Sequence, residues 1–221
     1  MKFKTTPYHF DLLKDEERLS AFYEAIKELS TSQELAYDLG CGSGILSFFL
    51  NSYFKEIIAI EQDFKASRCA KENLKSFKNI EVVNEDVLKY DFSKKCDLIV
   101  CEMLDTALID EEEVPVLNHA RNYLKENGKI IPQGIINTIE LARLERDYIH
   151  YDEDVNCKTL SKPVIYDEIN FLNDINPNFE KINPPLLIPL DEKNVKCNDL
   201  INVKLKYIMG KGIGTIEANY Y

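Results

Sequence analysis

Asp38, Glu61, Asp86 and Glu102 each stand at or just beyond the end of a short apolar run, where a strand would stop. A carboxylate in such a place accepts hydrogen bonds, and one carboxylate can take both hydroxyls of a ribose. Glu61 fits that task, because it lies twenty-three positions after Asp38. That is close to the distance at which the next parallel strand of a nucleotide-binding βαβ unit presents its acid. Beside Asp38 runs Gly40-Cys41-Gly42-Ser43-Gly44, which holds three of the eight glycines in the chain. Glycine lets backbone approach a ligand, and the helix start that follows offers free N–H groups. A nucleotide-type ligand is the expected occupant. The spacing is not the dinucleotide fingerprint, since Ile45 stands where its third glycine belongs.

The elements that must position these groups alternate along the chain. Residues 7–29 carry helical periodicity through Leu12, Leu13, Leu19, Phe22, Tyr23, Ile26 and Leu29. Glu34–Tyr37 reads as a strand and Ile45–Leu50 as a helix start. Glu56–Glu61, Ile80–Val83 and Cys96–Glu102 read as further strands, with a helix over Phe64–Phe77. The continuous apolar character of Cys96–Cys101 is that of a buried parallel strand. Asp110–Glu113 opens another helix running to Leu124, its acids matching the helix dipole. Asn127-Gly128 then turns the chain into a fifth strand, Lys129–Pro132.

Beyond about Gly134 the character changes. Ile135–Ala142 alternates loosely, residues 152–200 read as loop-rich with five prolines, and residues 201–218 read as a glycine-linked hairpin. The expected fold class is α/β, a Rossmann-like sheet with N-terminal helices and a small β-rich appendage. The expected boundary separates residues 1–134, the ligand-binding part, from residues 135–221.

The formal net charge of −11 disfavours a phosphate backbone as partner and favours a cationic one. No apolar run approaches the ~20 residues of a membrane span, and Met1–Thr5 lacks a signal-peptide core. The expected location is the cytoplasm. The six cysteines form no C-x-x-C pair and no zinc-ligand spacing, so they read as reduced thiols and no metal site is expected.

Asp38-Leu39-Gly40-Cys41-Gly42-Ser43-Gly44 resembles motif I of the class I methyltransferases, which bind S-adenosylmethionine. The resemblance implies that an acid after the third strand, Asp86 with Glu85 as alternative, accepts from the adenine amino group. It implies that the backbone N–H of the next residue, Val87, meets a ring nitrogen. Within that fold the chain resembles the protein arginine methyltransferases. His9 through Arg18 is similar to that family's N-terminal helix, whose His and Arg, nine apart, close over the cofactor. This implies that Arg18 pairs with the methionine carboxylate, which a guanidinium can hold bidentately.

Glu102 and Glu111, also nine apart, match the family's two substrate-gripping glutamates. The C-terminal VKLKY and GTIEANYY stretches are similar to the start of its β-barrel. The family usually has Trp-Met-Gly-Tyr after the first glutamate; here Met103-Leu104-Asp105-Thr106 stands there, and the chain has no Trp. The implied activity is methyl transfer to a basic protein or peptide, with catalytic Glu102 and Glu111. The alternatives are another acceptor, whether small molecule, nucleic acid or a different side chain, and a cofactor-binding adaptor without catalysis.

Overall fold

The computed structural model of the chain describes residues 2–29, 33–104, 108–109, 111–142, 162–170, 188–189 and 200–221. Two compact units emerge. The first comprises Met1–Met103, Pro115–Gly134 and Asn170–Glu180; the second comprises Leu104–Val114, Ile135–Ile169 and Lys181–Tyr221.

The first unit is built on a five-stranded parallel sheet. In chain order its elements begin with α1 (Pro7–Leu12), α2 (Glu16–Leu29), β1 (Gln33–Leu39), α3 (Ile45–Leu50) and β2 (Phe54–Ile60). They continue with α4 (Phe64–Leu74), β3 (Ile80–Val83), β4 (Cys96–Cys101), α5 (Glu113–Ala120) and β5 (Leu124–Ile131). The strand order is β3-β2-β1-β4-β5, every neighbouring pair parallel. Leu39 pairs with both Ile60 and Cys101, and Ile60 with Val83. These four strands therefore stop on one row, and the acids that follow them share one edge. The order reverses between β1 and β4, the switch point at which open α/β sheets bind ligands. The fold class expected from the sequence is the one observed.

The strands are apolar on both faces because helices cover both. Tyr37, Leu39, Ile57, Ile60, Leu98 and Ile99 are among the largest fully buried side chains. One face packs an aromatic group, with Tyr37, Tyr90 and Tyr123 around Phe92.

Several local expectations need correction. The helix expected over residues 7–29 is two helices, because the Asp15 carboxylate accepts from the Arg18 backbone N–H and caps a new start. The helix expected to reach Leu124 ends at Ala120, and Leu124 already belongs to β5. The turn at Asn127-Gly128 lies inside β5, as a bulge between the Cys96–Leu124 and Leu98–Lys129 pairings.

The second unit contains β6 (Gly134–Ala142), β7 (Lys162–Asn170) and β8 (Ile188–Pro189) in one sheet, in that order. β7 corrects the loop expected across residues 152–200: its Val164-Ile165-Tyr166 run is strand-forming, and Pro163 sits near the strand start, where the missing N–H is tolerated. The remaining prolines of that stretch, apart from Pro189 in β8, lie outside the described residues, as do Cys157 and Cys197. Among the described residues Cys41, Cys69 and Cys96 are free thiols. The expected C-terminal hairpin is present as β9 (Val203–Lys206) antiparallel to β10 (Glu217–Tyr220). Among the described residues no helix is long and apolar enough to cross a membrane.

Candidate active site

β1 delivers the glycine loop to the switch point, where it is pinned from several sides. The N–H groups of Gly40 and Cys41 donate to the Ile60 carbonyl, at 2.9 and 3.0 Å. Asn73, buried on α4, donates to the Ser43 carbonyl at 2.9 Å and to the Lys4 carbonyl at 2.8 Å, and accepts from the Lys4 N–H. One amide thus ties the N-terminal segment and the loop to the same helix. The sequence reading missed Asn73; its signal is a polar residue beside Ala70 and Leu74 on the buried face of a helix. All three loop glycines have φ between 54° and 87°, the left-handed region that favours glycine.

The loop glycines also make room for neighbours. A Cβ on Gly42 would stand 2.8 Å from the His9 ring, and one on Gly40 would stand 2.9 Å from the Met103 side chain. His9 reaches this place because Thr6 caps α1 and its hydroxyl pairs with His9 Nδ1 at 2.7 Å. Burial holds the His9 pKa below its ordinary value, against the opposing charges of Glu61 and Asp63. The family resemblance implies that His9 closes over the cofactor; the structure sets its ring beside Gly42.

Glu61 is fixed by backbone donors. Its Oε2 accepts from the Gly42 N–H at 2.8 Å and its Oε1 from the Asp63 N–H at 2.7 Å. Asn84 holds the Glu61 carbonyl at 2.7 Å. Asp38 is fully enclosed and accepts from the Ser47 hydroxyl at 2.5 Å, so it tethers the end of β1 to α3. Burial pushes its carboxyl up to about 7; the Ser47 hydrogen bonds oppose that, and the charges of Glu61 and Glu102 add to it.

A folded-state pKa above the ordinary 3.8 means that the folded protein binds the extra proton between about pH 4 and 7. The Asp38 contribution to stability is therefore full below that window and lost as pH rises through it. Each tenfold difference in proton affinity between folded and unfolded chain is worth about 1.4 kcal/mol. Asp38→Asn is expected to gain thermal stability relative to the parent as pH rises from 5 to 8. Melting curves across that range check this, and a difference independent of pH would refute it.

Arg18, on α2, is buried and donates from Nη1 to Glu102 Oε1 at 2.5 Å and from Nη2 to the Leu12 carbonyl at 3.0 Å. Its Nε–H has no partner, an orphaned buried donor. The Glu102 side chain keeps 19% of its exposure, and among the described residues its Oε2 has no hydrogen-bond partner. Burial raises the Glu102 pKa, with Arg18 pulling against it.

Asp86 lies in the turn after β3, accepting from the Leu88 N–H at 2.9 Å and pairing with Lys89 at 2.8 Å. The Lys89 hydrogen bond holds its carboxyl below the usual range. Val87 is buried, and Glu85 is exposed with its N–H donating to the Glu61 carbonyl at 3.2 Å. Glu111 is half-buried in the loop after β4, within the second unit.

Three carboxylates, Asp38, Glu61 and Glu102, thus stand at the loop's edge of the sheet with one guanidinium. That balance suits a ligand with a positive centre and a carboxylate of its own. The crowded glycine cradle and the spare Arg18 donor fit S-adenosylmethionine, which carries a sulfonium, a ribose and an amino-acid tail.

Fold and site together define a class I methyltransferase, and comparisons with known proteins agree. A methyltransferase-domain family profile matches residues 36–128. An uncharacterised protein of Methanothermobacter thermautotrophicus is 41% identical over 99% of both chains. Human protein arginine N-methyltransferase 2 is 25% identical over 89% of this chain and 49% of its own length. A ribosomal protein L11 methyltransferase of Thermoanaerobacter pseudethanolicus is 32% identical over 52% of this chain and 36% of its own. Among solved structures, the Trypanosoma brucei PRMT1 enzyme–prozyme complex with AdoHcy superposes with a TM-score of 0.62 at 17% identity, covering 76% of this chain and 63% of that one. This chain belongs to the class I S-adenosylmethionine-dependent methyltransferases, and S-adenosylmethionine is its cofactor.

Proposed function

We propose that the methyl acceptor is a guanidinium nitrogen, an arginine side chain in a basic protein or peptide. Glu102 carries this reading. One of its oxygens already binds the Arg18 guanidinium, among the described residues the other has no hydrogen-bond partner, and the side chain keeps 19% of its exposure. Glu111 serves as the second carboxylate, on the loop that follows β4.

The cofactor supplies a methyl group on a positively charged sulfur. The arginine guanidinium stays protonated throughout the physiological range, so its nitrogens are poor nucleophiles while the charge is shared among them. Two carboxylates facing the guanidinium orient it and draw positive charge toward the nitrogens they bind. The remaining nitrogen then keeps electron density for direct displacement. Catalysis is mostly positioning and electrostatics. In this reading Arg18 takes the methionine carboxylate and Glu61 the ribose, while Asp86 and the Val87 N–H take the adenine. His9 covers the cofactor over the Gly40, Gly42 and Gly44 backbone, Asp38 braces the loop through Ser47, and residues 135–221 form the substrate side.

A different acceptor is the second reading. It is favoured by Met103-Leu104 standing where the arginine enzymes usually have Trp-Met. The net charge of −11 speaks against a nucleic-acid acceptor in either case. Incubation with methyl-labelled cofactor and cell extract separates the readings. Label that resists nuclease and is lost to protease supports a protein acceptor, and label that resists protease refutes it.

A further inference from the structure

We infer that the C-terminal hairpin is a clamp that holds the Glu111 loop in its working shape. This rests on the reading of Glu111 as a substrate carboxylate. Every residue of the clamp belongs to the second unit.

The clearest sign is Leu108, three residues before Glu111. Its φ of 56° puts a branched, bulky residue in the left-handed region, which such side chains rarely adopt. A conformation of that kind persists only when its surroundings over-determine it, and here they do. The Gly210 N–H donates to the Leu108 carbonyl at 2.9 Å, and the Gly212 N–H donates to the Ile109 carbonyl at 2.8 Å. Both donors lie in the connection between β9 and β10, with φ of 70° and 86°. Left-handed geometry at both residues turns two amides of one short turn toward the same neighbouring segment, and glycine allows it without strain.

Packing adds a third hold. Ile109 is fully buried against Leu205, Tyr207 and Ile216. A two-stranded hairpin is marginal alone, so hairpin and loop each supply what the other lacks. Thr215 stiffens the turn from behind. Its hydroxyl donates to the Gly212 carbonyl at 2.9 Å and accepts from the Ile208 N–H at 3.1 Å. Ile109, Gly210, Gly212 and Thr215 are thus positioning residues that act through Glu111.

The test compares Ile109→Ala, Ile109→Val, Thr215→Val and Glu111→Gln with the parent protein. Its readouts are amide exchange, cofactor affinity by calorimetry, and transfer to a synthetic peptide with one arginine in a neutral sequence. In Ile109→Ala the Gly210 and Gly212 amides are expected to exchange at least about tenfold faster. The kcat is expected to fall about tenfold or more, with cofactor Kd within about twofold. Ile109→Val restores most of both. Thr215→Val shows the same pattern more weakly, and decides the matter if Ile109→Ala does not fold. Unchanged exchange overturns the clamp, as does faster exchange with full kcat while Glu111→Gln is inactive. If Glu111→Gln keeps full kcat, the substrate-carboxylate reading falls instead, and the clamp stands or falls on exchange alone.

Discussion

Glu102→Gln is expected to lower methyl transfer by roughly 10³-fold while cofactor Kd stays within a few-fold of the parent. The amide keeps the shape and one acceptor oxygen but removes the charge. A charged hydrogen-bonded partner in a desolvated site is worth about 4 kcal/mol, which is about three powers of ten in rate. The structure adds a second consequence. Arg18 is buried and its charge is balanced by Glu102, so the variant leaves that charge without its counter-ion. The melting temperature is therefore expected to drop as well. Stopped transfer with cofactor binding retained separates a role toward the acceptor from simple unfolding. Full turnover in a folded Glu102→Gln protein would remove Glu102 from the mechanism.

Gly42→Ala has the opposite signature: cofactor Kd rises and transfer falls with it. Gly42 has φ of 54°, so alanine is strained there whatever the space. Its Cβ would stand 2.8 Å from the His9 ring, and the same residue's N–H holds Glu61 Oε2. One methyl group thus disturbs the loop, the covering histidine and the ribose acid together. The expected loss of affinity is about 10- to 100-fold, or roughly 1.4–2.7 kcal/mol. Calorimetry with S-adenosylhomocysteine measures it directly, and an unchanged Kd would mean that the cofactor does not lie on this loop.

The sheet and its working edge were legible because parallel strands buried on both faces leave a plain signal. Their apolar runs are continuous, so the acids that stop them fall in one row by register. The glycine loop was legible because both its backbone conformation and its crowding require glycine. The break between α1 and α2 was hidden because Leu12, Leu13 and Leu19 keep an apparent period across it. Asp15 was the available sign, an N-cap inside a helical pattern.

β7 was hidden by the prolines around it, and Asn73 by its being a single polar residue whose three hydrogen bonds reach two distant residues, Lys4 and Ser43. The engagement of Asp86 by Lys89 and the Leu88 N–H is visible only in three dimensions, since any acid in a turn has such options. The pairing of Arg18 with Glu102 joins residues 84 positions apart and was equally unreadable. Leu108 gives no warning at all, because nothing in a leucine announces a positive φ.

The most direct test of the account is the chemical identity of the methylated product. The purified protein is incubated with methyl-labelled S-adenosylmethionine and protein extract, the labelled protein is hydrolysed to amino acids, and the label is assigned by mass. The account expects the label on a guanidinium nitrogen of arginine, and none in the Glu102→Gln or Glu111→Gln reactions. Label on lysine, on a carboxyl group or on a small molecule would contradict it.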